Sequence, residues 1–222
     1  MTQLQEELFA RLPFWAELDD AARETVRRGS LIRAYRRGDY IMNSRTECLG
    51  MIFLLSGEMR AFFLSPEGRE ITLFSRGAGE TCVLSAACVL DELDFETHLQ
   101  AQRDSELFIL GAPAFRRLTQ ENLAVRCWAY ERAANGFSGV VQTLQALLFL
   151  RFEQRLASFL LAEREKTGSP EIRMTHEQIA QQLNSAREVV ARQLARFASD
   201  GIVSMRRGVV RIENETALRA IL

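Results

Sequence analysis

MTHEQIAQQLNSAREVVARQLARFASDGIV, residues Met174 to Val203, is the stretch from which the rest of the chain can be read. Thr175 is followed three residues later by Gln178, the spacing of a capping box that starts a helix. Ile179, Ala180 and Leu183 form the apolar stripe of that helix. Asn184 and Ser185 interrupt it after two turns. Ser185 is expected to cap a second helix, in which Val189, Val190, Leu194 and Phe197 recur at helical spacing before Asp200-Gly201 ends it. Two short helices joined by a tight turn are a helix-turn-helix candidate, in which the N-terminal part of the second helix enters the DNA major groove.

What the second helix shows to solvent carries the argument further. At about 100° per residue, Arg187, Glu188 and Arg192 share one sector, away from Val190 and Leu194. Arg can bond guanine O6 and N7 together, and Glu can accept from cytosine N4, so this sector is suited to reading bases. An ordinary amphipathic helix with a solvated charged face would also present three charges. The residues around it favour base reading. Ile202 and Val203 begin a short strand, Arg206-Arg207-Gly208 makes a turn, and Val209 to Ile212 return, forming a two-stranded wing with a basic tip. Arg206 and Arg207, with Arg211 beside them, are placed for phosphates, as are Thr175, His176 and Ser185 at the helix starts.

The segment Thr175 to Val203 resembles the DNA-binding domain of the cyclic AMP receptor protein and fumarate-nitrate regulator (Crp/Fnr) superfamily of bacterial transcription factors. Ser185-Ala186-Arg187-Glu188-Val189-Val190-Ala191-Arg192 is similar to the recognition helix of its cyclic AMP receptor branch. The resemblance implies that Arg187, Glu188 and Arg192 read a palindrome with TGTGA-like arms. It also implies RNA polymerase as the partner through which an activator works. The fumarate-nitrate branch carries Val at position 187 and Ser at position 191, and this chain departs from it at both.

The N-terminal half has a different period. From Leu31, short apolar runs alternate with glycine turns at Gly38, Gly57, Gly68, Gly77 and Gly79, the pattern of a sandwich or barrel. Arg37-Gly38-Asp39, Leu54-Leu55-Ser56-Gly57-Glu58 and Gly79-Glu80 resemble the cyclic-nucleotide-binding jelly roll of the same superfamily. The expected class is α+β. A jelly-roll sensor domain over residues 1–117 leads into a dimerisation helix over 118–150 and a winged helix-turn-helix over 151–222. Ahead of the strands, Leu4, Leu8 and Leu12 mark one helical stripe, and Asp19-Asp20 mark the start of a second helix. The hinge between the sensing and DNA-binding halves is expected near Leu150 to Phe152.

In the long helical stretch, Leu123, Cys127, Tyr130, Ala134, Phe137, Val141, Leu144 and Leu148 follow one another in steps of four and three, a heptad seam. Such a seam fits a two-stranded coiled coil between protomers better than packing against the chain's own jelly roll. A homodimer would set two recognition helices about 34 Å apart along duplex DNA.

Composition narrows the class further. From Arg151 onward, 12 Arg plus Lys face 9 Asp plus Glu, whereas in residues 1–150 16 face 20, so the basic excess falls on the DNA-binding segment. No apolar run reaches the roughly 18 residues of a membrane helix, and no basic-then-apolar leader precedes Leu4, so a cytoplasmic protein with no membrane partner is expected. The four cysteines, at 48, 82, 88 and 127, form no CxxC pair and no zinc spacing. With only two histidines and no nucleophile elbow, phosphate loop or acid-base pair, the chain is not expected to be an enzyme. Glu58 and Glu80 are read as turn residues.

The sensor is expected to differ from that of cyclic AMP binders. In those proteins the loop after Gly-Glu ends in an Arg-Ser pair that holds the cyclic phosphate. Here no Arg occurs between Arg76 and Arg103, and Asp91, Glu92, Asp94 and Glu96 occupy the stretch instead, so cyclic AMP is not expected to bind. Cys82 and Cys88 flank a short apolar run, and His98 follows. Three readings stay open: a thiol switch between Cys82 and Cys88, haem with His98 or Cys82 as axial ligand, and small buried cysteines with His98 on the strand surface. The cofactor is unknown and no other metal site is assigned. The missing N-terminal cysteine cluster argues against an iron-sulfur centre.

Overall fold

The short apolar runs after Leu31 form two four-stranded sheets in the computed structural model, which describes residues 8–43, 48–82 and 97–222. One sheet has the order β1-β8-β3-β6, built from Ser30–Tyr35, Ser105–Gly111, Gly50–Ser56 and Thr81–Cys82. The other has the order β2-β7-β4-β5, from Tyr40–Met42, His98–Ala101, Glu58–Leu64 and Glu70–Gly77. Neighbours that are not consecutive in sequence are the mark of the expected jelly roll. Leu4, Cys88 and the acidic run Asp91 to Glu96 lie outside the described residues.

Strand periodicity explains the burial. Ile52, Leu54, Leu107 and Ile109 of the first sheet share a core with Met59, Ala61, Leu99 and Ala101 of the second. Their neighbours Met51, Phe53, Phe108 and Leu110 point to the opposite face. There they join Val26, Phe115, Leu118, Val125 and Ala129 in a second core. β3 and β8 are therefore buried on both sides, which is why they read as continuous apolar runs rather than as alternation. The helices that cover the outer face are α1 (Asp20–Gly29), α2 (Ala112–Glu121) and the first part of α3 (Leu123–Phe149). Asp19 starts α1 by accepting the Ala22 N–H at 2.8 Å.

The helical stretch after Leu118 is divided. Asn122 is extended (φ −123°), its backbone N–H ends α2 on the Leu118 carbonyl, and its side chain accepts the Val125 N–H at 3.0 Å to start α3. A single residue that caps both ways leaves no gap in the apolar spacing, so periodicity reads straight through it.

The chain folds into two compact units. The first comprises residues 1–63 and 73–140, and the second residues 64–72 and 141–222. In the second, α4 (Phe152–Thr167) ends on Gly168 in the left-handed conformation. Then come β9 (Glu171–Ile172), α5 (His176–Gln182), α6 (Arg187–Ser199), β10 (Val203–Arg206), β11 (Val209–Ile212) and α7 (Glu215–Arg219). Leu156, Leu160, Ile179, Val190, Leu194, Phe197, Val210 and Leu218 form its core. The wing has three strands, in the order β10-β11-β9, where the sequence shows two. β9 pairs only Ile172 with Val210 and Glu171 with Arg211, too short a run for a period to register. No helix among the described residues is long and apolar enough to cross a membrane.

Glycine turns join the strands. Asp39 accepts the Arg36 N–H at 2.8 Å around Gly38, and Glu80 accepts the Gly77 N–H at 2.6 Å. Gly57 joins β3 to β4 with φ +88°, and a Cβ there would lie 2.6 Å from the Asp104 carbonyl oxygen. Gly57→Ala is expected to cost about 1–3 kcal/mol of stability, since it adds left-handed strain to a backbone clash. Calorimetry reads this as a lower Tm, and an unchanged Tm would mean that the turn tolerates a side chain.

Candidate nucleic-acid interface

The capping box forms as its spacing predicts. Thr175 Oγ1 accepts the Gln178 N–H at 3.2 Å, and Gln178 Oε1 accepts the Thr175 N–H at 2.9 Å, which fixes the start of α5. The turn that follows is sharper than the sequence suggests. Asn184 takes a left-handed backbone (φ +52°), and the Ser185 N–H donates to the Ala180 carbonyl at 3.0 Å. The reversal at Asn184 shifts the cap of α6 by one residue. Ala186, with no side-chain cap, precedes Arg187, so Ser185 is not the cap expected of it.

Three side chains of α6 point inward. Val190 and Leu194 are fully buried and Phe197 nearly so. This fixes the helix rotation and leaves Arg187, Glu188 and Arg192 exposed on the other side. None of the three has a hydrogen bond or ion pair among the described residues, so their charged ends are available to a partner.

The wing's cations are not equivalent. Arg206 is held by Glu171 at 2.8 Å, and Arg211 lies 3.6 Å from Glu213. Arg207, at the turn with Gly208 (φ +72°), is exposed and has no partner among the described residues. Exposed pairs of this kind contribute only about 0–1 kcal/mol, so a phosphate can compete for Arg206. Thr175, His176, Arg187, Arg206 and Arg207 line one cleft of about 710 Å³ between the start of α5, the start of α6 and the wing. Met174, Glu177 and Met205 line it too, and the sequence reading does not include them.

On α3 the heptad positions lie outward. Leu123 is 70% exposed, Phe137 69% and Leu148 66%, and Cys127, Tyr130, Ala134 and Leu144 are exposed as well; Val141 is half-buried. Val125, Ala129 and Gly136 are buried on another face of the same helix. The helix therefore has one apolar face covered by its own chain and a second left open.

The sensor candidates are not brought together. Cys82, on β6, is buried in the sandwich core beside Ile52 and Leu54. His98 on β7 precedes Leu99, which points into that core, so His98 points to the other face of its sheet. It is 9% exposed, stacks on Phe62 at 5.3 Å and meets Tyr40 edge-on at 6.1 Å. His98 is thus not the surface residue of the blandest sequence reading. The sheet thus lies between His98 and Cys82. Cys82 is a free thiol with its side chain inside the core, and Cys48 is disulfide-bonded. Cys88 lies outside the described residues.

Two arginines escape the sequence reading. Arg60 on β4 is 1% exposed, with its guanidinium 4.2 Å from the Phe62 ring centroid. A charge between Met59 and Ala61, in a strand buried on both faces, is the signal that could have marked it. Arg155 on α4 donates to the Leu183 carbonyl at 2.8 Å, and burial lowers its pKa.

Comparison with known proteins covers both units. A Crp-like helix-turn-helix domain matches residues 154–221, and a cyclic nucleotide-binding domain matches residues 32–122. The cyclic AMP receptor protein of Thermus thermophilus is 27% identical over 195 residues, 85% of this chain and 87% of its own length. A crystal structure from Eubacterium rectale, assigned to the crp/fnr family of transcriptional regulators, shares 32% identity at a TM-score of 0.86, covering 96% of this chain and 98% of that one. The regulator CLP from Xanthomonas campestris, at 18% identity and a TM-score of 0.74 over 88% of this chain and 100% of that one, shares the fold.

Proposed function

Because the chain belongs to the Crp/Fnr family of transcription regulators, we propose that it acts as a homodimer that reads TGTGA-like half-sites and answers to a signal other than cyclic AMP. The observation that carries this reading is the exposed set Arg187, Glu188 and Arg192, without partners among the described residues, on a helix whose opposite face is buried. Thr175, His176, Ser185, Arg206 and Arg207 would hold the DNA backbone beside it. Lined up along one cleft, the start of α5 and the wing supply position, and α6 supplies sequence. The family is one of transcription regulators rather than enzymes.

The open apolar face of α3 supports the dimer. A row of large side chains half or more exposed is costly in water, and a second copy of the same helix would cover it. The domain limits we propose are residues 1–117, 118–150 and 151–222, working in the cytoplasm with RNA polymerase as a further partner.

The signal is the second half of the proposal. The relative from Thermus thermophilus is named for cyclic AMP, yet this chain has no Arg between Arg76 and Arg103 to hold a cyclic phosphate. Haem or another apolar effector, or the redox state of the cysteines, is the class of signal we favour. It would act by shifting a population between binding-competent and incompetent states.

Arg187→Ala should cost about 1–3 kcal/mol and relax preference at one base pair, while Arg207→Ala should weaken all sequences alike and lower the salt slope by about one. Titration of both variants against palindromic and scrambled duplexes at several salt concentrations separates the two roles, and equal losses on every duplex would remove the base-reading assignment. Phe137→Glu puts a charge into each copy of the seam and should shift sedimentation toward the monomer at micromolar concentration. A variant that stays dimeric would place the protomer contact elsewhere.

A further inference from the structure

Arg155 has more hydrogen-bond donors than the fold uses. Its guanidinium lies 5.5 Å from the Phe152 ring centroid, and Nη1 donates to the Leu183 carbonyl at 2.8 Å. Nε is shut off from solvent and meets no acceptor, and no carboxylate pairs with the group among the described residues. Burial lowers its pKa because water that would solvate the charge is excluded. The guanidinium nevertheless stays protonated, since its charge is not lost in proteins. A half-buried cation with one neutral acceptor is costly, and an anion placed against it would remove much of that cost.

A cleft of about 160 Å³ lies beside it, between the end of α3, the first turns of α4 and the turn after α5. Every residue that lines it belongs to the second compact unit. Ala146, Leu147 and Leu150 make one wall apolar. Ser158, one turn beyond Arg155 on α4, lines the same cleft, and its hydroxyl has no hydrogen bond among the described residues. A cavity of about 150 Å³ holds a molecule the size of benzene, so the space is too small for a nucleotide or haem. Its chemistry has two ends. The guanidinium fork and the hydroxyl suit a planar carboxylate, which Arg binds through two parallel bonds, and the three apolar side chains suit a hydrocarbon tail.

We propose that this cleft binds a short-chain aliphatic carboxylate of about four to six carbons, its carboxylate held by Arg155 and Ser158 and its tail laid against Ala146, Leu147 and Leu150. The site shares no lining residue with the cleft formed by α5, α6 and the wing. It therefore stands whether or not α6 reads TGTGA-like arms, and it adds a ligand of a different class from the haem, apolar or redox signals considered above.

Isothermal titration of the full-length protein with isovalerate should show saturable binding of one equivalent per chain. Isoamyl alcohol, which keeps the tail and lacks the charge, should bind at least about tenfold more weakly, and so should inorganic phosphate, which keeps the charge and lacks the tail. Arg155→Gln should lower the affinity for isovalerate by at least about tenfold. Because Arg155 also holds the Leu183 carbonyl, Ser158→Leu supplies a second test: it fills the cleft, breaks no hydrogen bond among the described residues and should cause a similar loss. Should Arg155→Gln fail to fold, Ser158→Leu decides alone. No binding by the parent, or an affinity unchanged in either folded variant, would overturn the site. Binding of phosphate or of the alcohol as tight as that of isovalerate would overturn the ligand class.

Discussion

Burial of Val190, Leu194 and Phe197 is the constraint on which the DNA-facing surface depends. A helix has one rotational freedom about its axis, and three large side chains packed into the C-terminal core remove it. What remains outside is then determined by the 3.6-residue period rather than by any contact the outer residues make. Arg187, Glu188 and Arg192 need no support from neighbours to point outward. Their lack of partners among the described residues keeps them available, whereas Arg206 is already paired with Glu171.

The jelly roll uses the same logic with a period of two. Sheet residues that alternate between the sandwich core and the helix-covered face make β3 and β8 the most deeply buried strands of the N-terminal unit. Burial on both faces leaves little tolerance for polar groups there, which makes Arg60 and His98 in the neighbouring sheet notable. Both are buried and both lie against Phe62. α3 meets the opposite situation, since Val125 and Ala129 are covered by the chain itself while Leu123, Phe137 and Leu148 are left in the open. α3 thus has two apolar faces and only one covering layer.

The turn at Asn184 is shaped by its own side chain. A left-handed backbone at a residue other than glycine costs about 1 kcal/mol or more, and Asn bears it better than most. At this position the side chain recovers the cost through two bonds to Thr72, so the same residue that shapes the turn also ties it down. Arg155 grips the preceding carbonyl at Leu183 from the other side. The recognition helix is therefore held at its leading end by two elements remote in sequence.

By itself the sequence determined the fold class and the family of the protein. Capping boxes, glycine turns and helical spacing are local, with causes that lie within a few residues of their effects, and for that reason Thr175, Gln178 and the α6 periodicity could be read without coordinates. The heptad positions of α3 were readable for the same reason, although the break at Asn122 was not, because a residue that caps both ways leaves the spacing intact. Only the tertiary structure decided what depends on residues far apart in the chain. It separated Cys82 from His98 by a sheet, buried His98 between aromatic rings, paired Arg206 with Glu171 and joined Asn184 to Thr72 across more than a hundred residues. Those outcomes follow from strand order and packing, and no local pattern encodes which edge strand will meet which turn.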